Sequence, residues 1–223
     1  MTNFLPLVEK FHSLQGEGFH TGKSAFFIRL AGCNVGCTWW DTRHSWDQKK
    51  YPLISIKKIV NEIKKARKKG ACFLVITGGE PLHHNLDDLC KAINIETSKG
   101  GENPIKIHIE TSGINEISGN YDWITLSPKR HLPPKTYFLE NCNELKVIIN
   151  DQKDIDFAND IKQEIIHKIK KLSEKGNFYK LNTKYYLQPA WKNDYGFSLT
   201  IDFVKKNPEW KLSLQTHKYL KIK

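Results

Sequence analysis

The sequence lacks any apolar run approaching the roughly 20 residues that a membrane-spanning helix needs. Its first residues also lack the basic-then-apolar arrangement of a secretory signal peptide. The five cysteines are odd in number and do not have the spacing of a secreted disulfide framework. These absences argue against a membrane protein or a secreted one, and we expect a cytoplasmic protein.

Arginine is scarce, supplying four of the 35 basic residues although the formal net charge is +11. Proteins that recognise bases and phosphates favour the bidentate arginine fork. The lysines instead crowd onto predicted helix faces, where a solvated surface explains them. A basic nucleic-acid-binding protein therefore remains only as the alternative that we rank last, and salt-sensitive binding would reveal it.

With 223 residues, 39% hydrophobic and 26% charged, the chain is long enough for one substantial core. Polar stretches at 98–103 and 173–183 are followed at once by apolar segments, which indicates loops within a domain. No internal repeat is present. We therefore expect a single domain over residues 1–223.

Short apolar segments alternate with amphipathic ones, the pattern of β-α units that feed a parallel sheet. Helices are predicted from the Ser55 cap to Gly70 and over 86–95, 155–172 and 199–206. Strands are predicted at 25–30, 72–76, 105–109, 123–126, 145–149, 185–187 and 212–214. About six strands predict an α/β fold, a partial (β/α)6-type TIM-like barrel with a parallel sheet.

Glycine and polar residues follow most of the predicted strands, at the sheet edge where parallel α/β folds bind ligands. In the segment 77–81, Gly78 and Gly79 would let the backbone approach a ligand while Glu80 accepts a hydrogen bond from an amine. A tight turn is the alternative interpretation. Arg29 ends an apolar strand, where a charge is usually paired or binds an anion, and a carboxylate-bearing substrate would suit it.

Two further segments have both a functional and a structural interpretation. Residues 14–18 offer glycines and hydrogen-bonding side chains that suit a small polar heterocycle, but they could equally form a plain loop. His217 closes the last predicted strand, where a satisfied structural histidine is more common than a catalytic one.

A short loop carries Cys33 and Cys37, with Trp40 three positions further on. Cysteines in a C-x3-C-x2-C loop hold three irons of a 4Fe-4S cluster and leave the fourth iron open to an amine and a carboxylate. Tryptophan has only an indole N–H donor and cannot ligate iron. Asp41 and His44 are the nearest other ligands, and a two-cysteine zinc site would lack its remaining ligands at zinc-like spacing.

From about Phe11 to Leu220 the chain resembles the 7-carboxy-7-deazaguanine synthases, which are radical S-adenosylmethionine (SAM) enzymes of queuosine and deazapurine biosynthesis. The number and order of the matching segments make the resemblance specific. They are Leu14-Gln15-Gly16-Glu17-Gly18, Arg29, Ala31-Gly32-Cys33, Cys37, Asp41-Thr42, Thr77-Gly78-Gly79-Glu80-Pro81, Glu110-Thr111-Ser112-Gly113, Ser127-Pro128-Lys129, Glu144-Leu145-Lys146, Gln188-Pro189 and Gln215-Thr216-His217-Lys218.

The resemblance implies a homodimeric carbon–nitrogen lyase with a 4Fe-4S cluster, SAM, Mg2+ and a reducing electron donor such as flavodoxin. It would convert 6-carboxy-5,6,7,8-tetrahydropterin, a carboxypterin, into 7-carboxy-7-deazaguanine with loss of ammonia. In such enzymes cluster-bound SAM takes an electron and breaks homolytically. The resulting 5′-deoxyadenosyl radical abstracts hydrogen from the pterin, whose ring then contracts.

The resemblance also implies roles for particular residues. Cys33 and Cys37 would ligate the cluster, and Thr42 would contact magnesium. Substrate binding would fall to Leu14, Gln15, Gly16, Arg29, Thr77 and His217. SAM would contact Trp39, Trp40, Asp41, Gly79, Ser127, Pro128, Lys129 and Gln188. Because Trp40 stands in the place of the third cluster cysteine, the chain is either a synthase with an unusually held cluster or a degenerate homologue that binds pterin or SAM without radical catalysis.

Overall fold

A computed structural model describes residues 3–36, 46–101, 103–174 and 182–223. Its strands are β1 (Phe4–Leu14), β2 (Ser24–Leu30), β3 (Leu53–Ser55), β4 (Phe73–Gly78), β5 (Lys106–Thr111), β6 (Trp123–Leu126), β7 (Glu144–Ile149), β8 (Lys184–Pro189) and β9 (Trp210–Leu212). Its helices are α1 (Ile56–Lys68), α2 (Asp87–Thr97), α3 (Thr136–Asn141), α4 (Gln152–Glu174), α5 (Asp194–Lys206) and α6 (Thr216–Leu220).

These strands form one sheet in the order β3-β1-β2-β4-β5-β6-β7-β8-β9. The neighbours from β2 through to β9 pair in parallel, whereas β1 pairs antiparallel with both β2 and β3 at one edge. Parallel neighbours share a direction, so their carboxyl ends meet along one edge of the sheet. That edge is where loops from distant parts of the sequence can form a site.

Alternation along each strand gives the sheet two different faces. In β5, Ile107 and Ile109 lie in the hydrophobic core, while His108 and Glu110 point to the opposite, concave face. A small apolar cluster that includes Phe27 and Phe73 also lies on that face. The concave face therefore carries one layer of apolar side chains and, next to it, one layer of charged side chains.

Helices cover the convex face and form the main core. Helix α1 begins at the Ser55 cap, whose hydroxyl accepts the Lys58 N–H at 3.4 Å, and it buries Ile59 and Ile63. Each such aliphatic side chain stabilises the fold by roughly 1.5–3 kcal/mol when it is fully buried. Among the described residues, no helix is both long and apolar enough to span a membrane.

The predicted α/β fold class is confirmed, and most predicted elements agree with the observed ones to within a few residues. The sequence pattern missed β1, β3, α3 and α6, which lack a clean apolar alternation or are very short. His217, expected to close the last strand, lies in α6. The position predicted for the last strand was wrong by two residues: the strand was predicted at 212–214 and lies at Trp210–Leu212. Pairing of Tyr185 with Trp210 buries the indole ring, a gain that local periodicity does not reveal.

Candidate active site

A cavity of about 430 Å³ opens at the carboxyl ends of the parallel strands. Eleven residues predicted for the substrate, SAM or the cluster line it: Leu14, Gln15, Gly16, Arg29, Cys33, Thr77, Gly79, Ser127, Lys129, Gln188 and His217. Pro128 is buried beside Ser127 but does not line the cavity. The predicted positions Cys37, Trp39, Trp40, Asp41 and Thr42 lie outside the described residues.

The two glycines at the end of β4 make room for the end of β2 and for the cysteine loop that follows it. A Cβ on Gly78 would stand 2.3 Å from the carbonyl oxygen of Leu30. A Cβ on Gly79 would stand 2.5 Å from the carbonyl oxygen of Gly32 and 2.7 Å from the Cβ of Cys33. Real side chains do not approach this closely, so the end of β4 can lie against this loop only because both residues are glycine.

The side chain of Cys33 is half-buried on the cavity wall. Its sulfur accepts the N–H of Val35 at 3.4 Å, a contact that orients the thiol. Burial raises the pKa of the Cys33 thiol, and the backbone N–H groups of Val35 and Gly36 only partly oppose this rise. Bound iron would offset the effect, because metal coordination favours the thiolate.

Glu80, predicted to accept from a ligand amine, lines the cavity and is also bonded within the protein. This carboxylate is buried, with 1% of its surface exposed, and it accepts from Thr111 Oγ1 at 2.6 Å and from the Ser112 N–H at 2.8 Å. The Ser112 hydroxyl and the Leu82 N–H are two further donors. Four donors from the protein match the acceptor capacity of a carboxylate, so Glu80 fixes the turn after β5 to the end of β4.

Arg29 is paired at the cavity wall. Its Nε donates to Glu9 Oε1 at 2.9 Å, and Lys223 contacts the other carboxylate oxygen at 3.4 Å. Burial alone would raise the pKa of Glu9, but the two cations hold it below its usual value. The Ser13 hydroxyl also donates to the backbone carbonyl of Lys223, so the C-terminal residue lies against β1 beside the cavity.

A buried ion pair joins Glu17 to Lys146. Glu17 Oε1 also accepts from Gln215 Nε2 at 3.0 Å. Burial alone would raise the pKa of Glu17, but Lys146 and Gln215 lower it to about 2. Burial opposes the charge of Lys146 as well, yet the surrounding carboxylates raise the pKa of its ammonium above the usual value.

Glu110 connects the two polar segments that were predicted to bind substrate. Its carboxylate accepts from Gln15 Nε2 and from Thr77 Oγ1, both at 3.1 Å. On the other side of residues 14–18, the imidazole of His217 packs against Gly16, where an added Cβ would stand 2.2 Å from Nδ1. Gly16 is therefore required for the close approach of α6.

The prediction assigned no role to several residues that line the cavity, among them Glu110, Lys146, Gln215 and Lys223. Two of them had a usable signal. Glu110 and Lys146 are charges inside strands, each next to at least one buried apolar residue, and such charges point to the face opposite the core. The partners of these charges lie far away in sequence, so no local pattern identifies them.

The described residues fit SAM and the substrate better than they fit the cluster. The cavity volume is within the roughly 300–1,000 Å³ typical of small-molecule sites. The loop offers two thiols, at Cys33 and Cys37, and an indole at position 40 that cannot ligate iron. Of the other cysteines, Cys90 and Cys142 are buried in the core. The donor set is therefore one thiolate short of the three that the cluster needs.

Comparison with known proteins agrees with this geometry. The family model of the Radical SAM superfamily matches residues 27–127. The chain is 48% identical to the 7-carboxy-7-deazaguanine synthase of Prochlorococcus marinus, with full coverage of both chains. It is 38% identical to the protein of the same name from a Synechocystis species, over 100% of this chain and 96% of that one.

The fold matches a solved structure as well. The crystal structure of QueE from Escherichia coli superposes with a TM-score of 0.75 at 29% identity, covering 95% of this chain and 93% of that chain. Full-length similarity at this level, together with the motifs gathered around one cavity, identifies the resemblance seen in the sequence as a family relationship. The chain belongs to the 7-carboxy-7-deazaguanine synthase family.

Proposed function

We propose that the chain converts 6-carboxy-5,6,7,8-tetrahydropterin into 7-carboxy-7-deazaguanine with loss of ammonia. The observation that supports this proposal best is the cavity itself. The same space is lined by residues expected to bind the substrate and by residues expected to bind the cofactors. The former are Arg29, Gln15, Thr77 and His217, and beside them lie Cys33, Gly78 and Gly79. A polar substrate and a cofactor would therefore meet at the carboxyl edge of the sheet, where positioning rather than acid–base chemistry is the task of the protein.

On the substrate side, Arg29 would bind the carboxylate. Its Nε is engaged by Glu9, and the guanidinium has four further N–H donors with which to hold an anion. The pterin ring presents both donors and acceptors, which suit Gln15, Thr77 and the carboxylate of Glu110. Rejection of analogues would follow, because an unmatched buried polar group is costly.

On the cofactor side, Gly79, Ser127, Lys129 and Gln188 would contact SAM. Membership of the radical SAM superfamily implies SAM and a 4Fe-4S cluster, which together supply the 5′-deoxyadenosyl radical when bound. Lys129 is buried and its Nζ donates to Ser127 Oγ at 3.0 Å, which fixes a positive charge in the cofactor half of the cavity. Thr42 would contact Mg2+.

We also propose that the chain forms a single domain and acts as a homodimer in the cytoplasm. It would receive electrons from a donor such as flavodoxin. Analytical ultracentrifugation tests the assembly. A monomer at micromolar concentration would contradict that part of the proposal alone.

An anaerobic turnover assay tests the activity. Protein reconstituted with iron and sulfide is mixed with dithionite, SAM, Mg2+ and the carboxytetrahydropterin, and 5′-deoxyadenosine and 7-carboxy-7-deazaguanine are measured by mass spectrometry. Both products are expected from the unmodified chain or, if the cluster limits it, from Trp40→Cys. If Trp40→Cys holds a full cluster and neither protein forms product, the proposed reaction is wrong.

Trp40 favours a second candidate, a degenerate homologue that binds the pterin or SAM without radical catalysis. Isothermal titration of each compound onto the full chain separates the two candidates. Binding without product from the unmodified chain, with product from Trp40→Cys, would support this candidate. Product from the unmodified chain would exclude it.

A further inference from the structure

Glu144 is a buried carboxyl that holds the loop after β1 but does not line the large cavity. Only 3% of its surface is exposed. Its Oε2 accepts the N–H of Phe19 at 3.0 Å, and its Oε1 lies 2.0 Å from where a Cβ on Gly18 would stand. Glu144 therefore contacts the segment that also carries Gln15 and Glu17.

Two further carboxylates and the ammonium of Lys146 lie close to Glu144. Lys146 faces it from the same strand, Glu17 from the loop after β1, and Glu110 from β5. The remaining titratable groups packed against it are His20, His108, Cys142, Lys184 and Tyr186. Lys146 forms its ion pair with Glu17. Its ammonium is therefore not paired directly with Glu110 or Glu144.

Burial, together with the charges of Glu110 and Glu17, raises the pKa of Glu144 to about 7, against the opposing effect of Lys146 and the Phe19 N–H. The carboxyl is therefore at the midpoint between its neutral and charged forms near physiological pH. Any added negative charge in the neighbouring cavity shifts this balance toward the neutral acid.

A second, polar cavity of about 10 Å³ gives Glu144 a connection to the ligand space. This volume approaches that of one water molecule. Gln15, Glu17 and Glu110 line both cavities, whereas Glu144, His20 and Thr125 line only the small one. A water there would have several polar partners, and it could pass a proton between Glu144 and the large cavity.

We propose that Glu144 takes up one proton from solvent when a carboxylate-bearing pterin enters the large cavity, so that substrate binding is linked to proton uptake. The proton adds to Oε1 and forms the neutral acid, while Oε2 keeps the bond from Phe19. Arg29 neutralises the incoming carboxylate only partly, because Glu9 already pairs with it. Proton uptake at Glu144 removes one of the three negative charges beneath the ligand. The inference rests on the proposed substrate class.

Isothermal titration of 6-carboxypterin, the air-stable oxidised form of the substrate, onto the full chain at pH 7.5 tests the proposal. Repeating the titration in phosphate and in Tris, which differ in ionisation enthalpy, gives the number of protons taken up. We expect about half a proton or slightly more for the parent chain, and a dissociation constant that weakens up to about fivefold between pH 7 and 8.

Glu144→Gln should bind as the parent does at pH 6.5 and should lose most of the uptake. The amide is a neutral analogue of the protonated acid, and its carbonyl oxygen can still accept from Phe19. Glu116→Gln is the matched control, because that side chain is 82% exposed and pairs with Lys135 on the surface. Uptake that persists in Glu144→Gln, or binding by the parent without uptake, would overturn the proposal.

A second measurement does not depend on the ligand. A raised pKa means that the stability from Glu144 is fully present below about pH 4.5 and is lost as pH rises through about 7. In urea unfolding between pH 5 and 8, the parent should lose stability relative to Glu144→Gln as pH rises. Equal pH dependence in both proteins would overturn the role of Glu144, whereas absence of pterin binding alone would contradict the proposed function.

Discussion

Gly79 lies directly against Cys33, because a Cβ on Gly79 would stand 2.7 Å from the Cβ of that cysteine. The residue expected to contact SAM and the first expected cluster ligand are thus in van der Waals contact across two strand ends. The hydrogen bond from the Glu80 N–H to the Gly32 carbonyl, at 3.0 Å, holds the same junction. The position of the cysteine loop is therefore set by the end of β4.

Gly79→Ala should displace the cysteine loop. The added methyl group must push back the backbone of Gly32, and overpacking of this kind costs about 1–3 kcal/mol. We expect iron retained after anaerobic reconstitution and desalting to fall at least about threefold below the parent value. Gly100→Ala is the control, since no atom lies within 4 Å of its added Cβ. That variant has a positive φ, so it should lose stability without losing iron.

Trp40→Cys should increase the iron that the chain holds. The change completes the C-x3-C-x2-C pattern and supplies the missing thiolate. Iron and sulfide per chain should rise toward the four of a complete cluster, with a matching increase in visible absorption. Trp39→Cys adds a thiol one residue away and is the matched control. If Trp40→Cys held no more iron than the parent or Trp39→Cys, the missing-ligand argument would be wrong.

Local patterns predicted much of this fold because the helices and central strands each bury a regular face. Helix α1 and strand β4 were found from apolar spacing, and capping by Ser55 was found from the residue type. Strand β1 was missed because its second half alternates between half-buried and exposed positions, without an apolar face to detect. Its place in the sheet comes from pairing with β2, which is information from another segment.

The site, like the fold, was predictable from local patterns only in part. Glycines and polar residues at strand ends indicated where the cavity lies, since that edge is common to all parallel α/β folds. The bond network within it was not predictable. Glu17 and Lys146 are 129 residues apart in the chain, and Thr111 and Ser112 donate to Glu80 from 31 and 32 residues away. Tertiary contacts decide which charges face a ligand and which satisfy one another.

Lys146→Met should destabilise the fold. The variant keeps the aliphatic volume but leaves Glu17 buried without its cation, a change that typically costs about 3–5 kcal/mol. Urea unfolding at pH 7 measures the loss. Lys106→Met is the control, because that exposed lysine pairs with Asp122 at the surface and should change stability by less than about 1 kcal/mol. A similar loss in the two variants would contradict the importance of the buried pair.

Two neutral imidazoles lie below the charged layer of the concave face. His108 stacks on Phe73 with ring centroids 4.1 Å apart, and its centroid is 4.6 Å from that of His20. Burial, and then the charge of Lys23, lower the pKa of His20 to about 4. Burial, and then His20, lower the pKa of His108 to about 3. In the unfolded chain both rings would take up protons near pH 6.5.

His108→Phe should therefore reduce the acid sensitivity of the fold. Each lowered pKa contributes stability that is present above about pH 6.5 and is lost as pH falls toward the folded value, by at most about 1.4 kcal/mol per pH unit. Glu144 contributes an opposite trend above pH 4.5, so the informative quantity is the difference between variant and parent in urea unfolding at pH 7, 6 and 5. Phenylalanine keeps the stack on Phe73 and has no proton to gain.

The variant should lose less stability than the parent on acidification, whereas His167→Gln, on the exposed face of α4, should follow the parent. Parallel curves for His108→Phe and the parent would show that folding does not lower the pKa of His108.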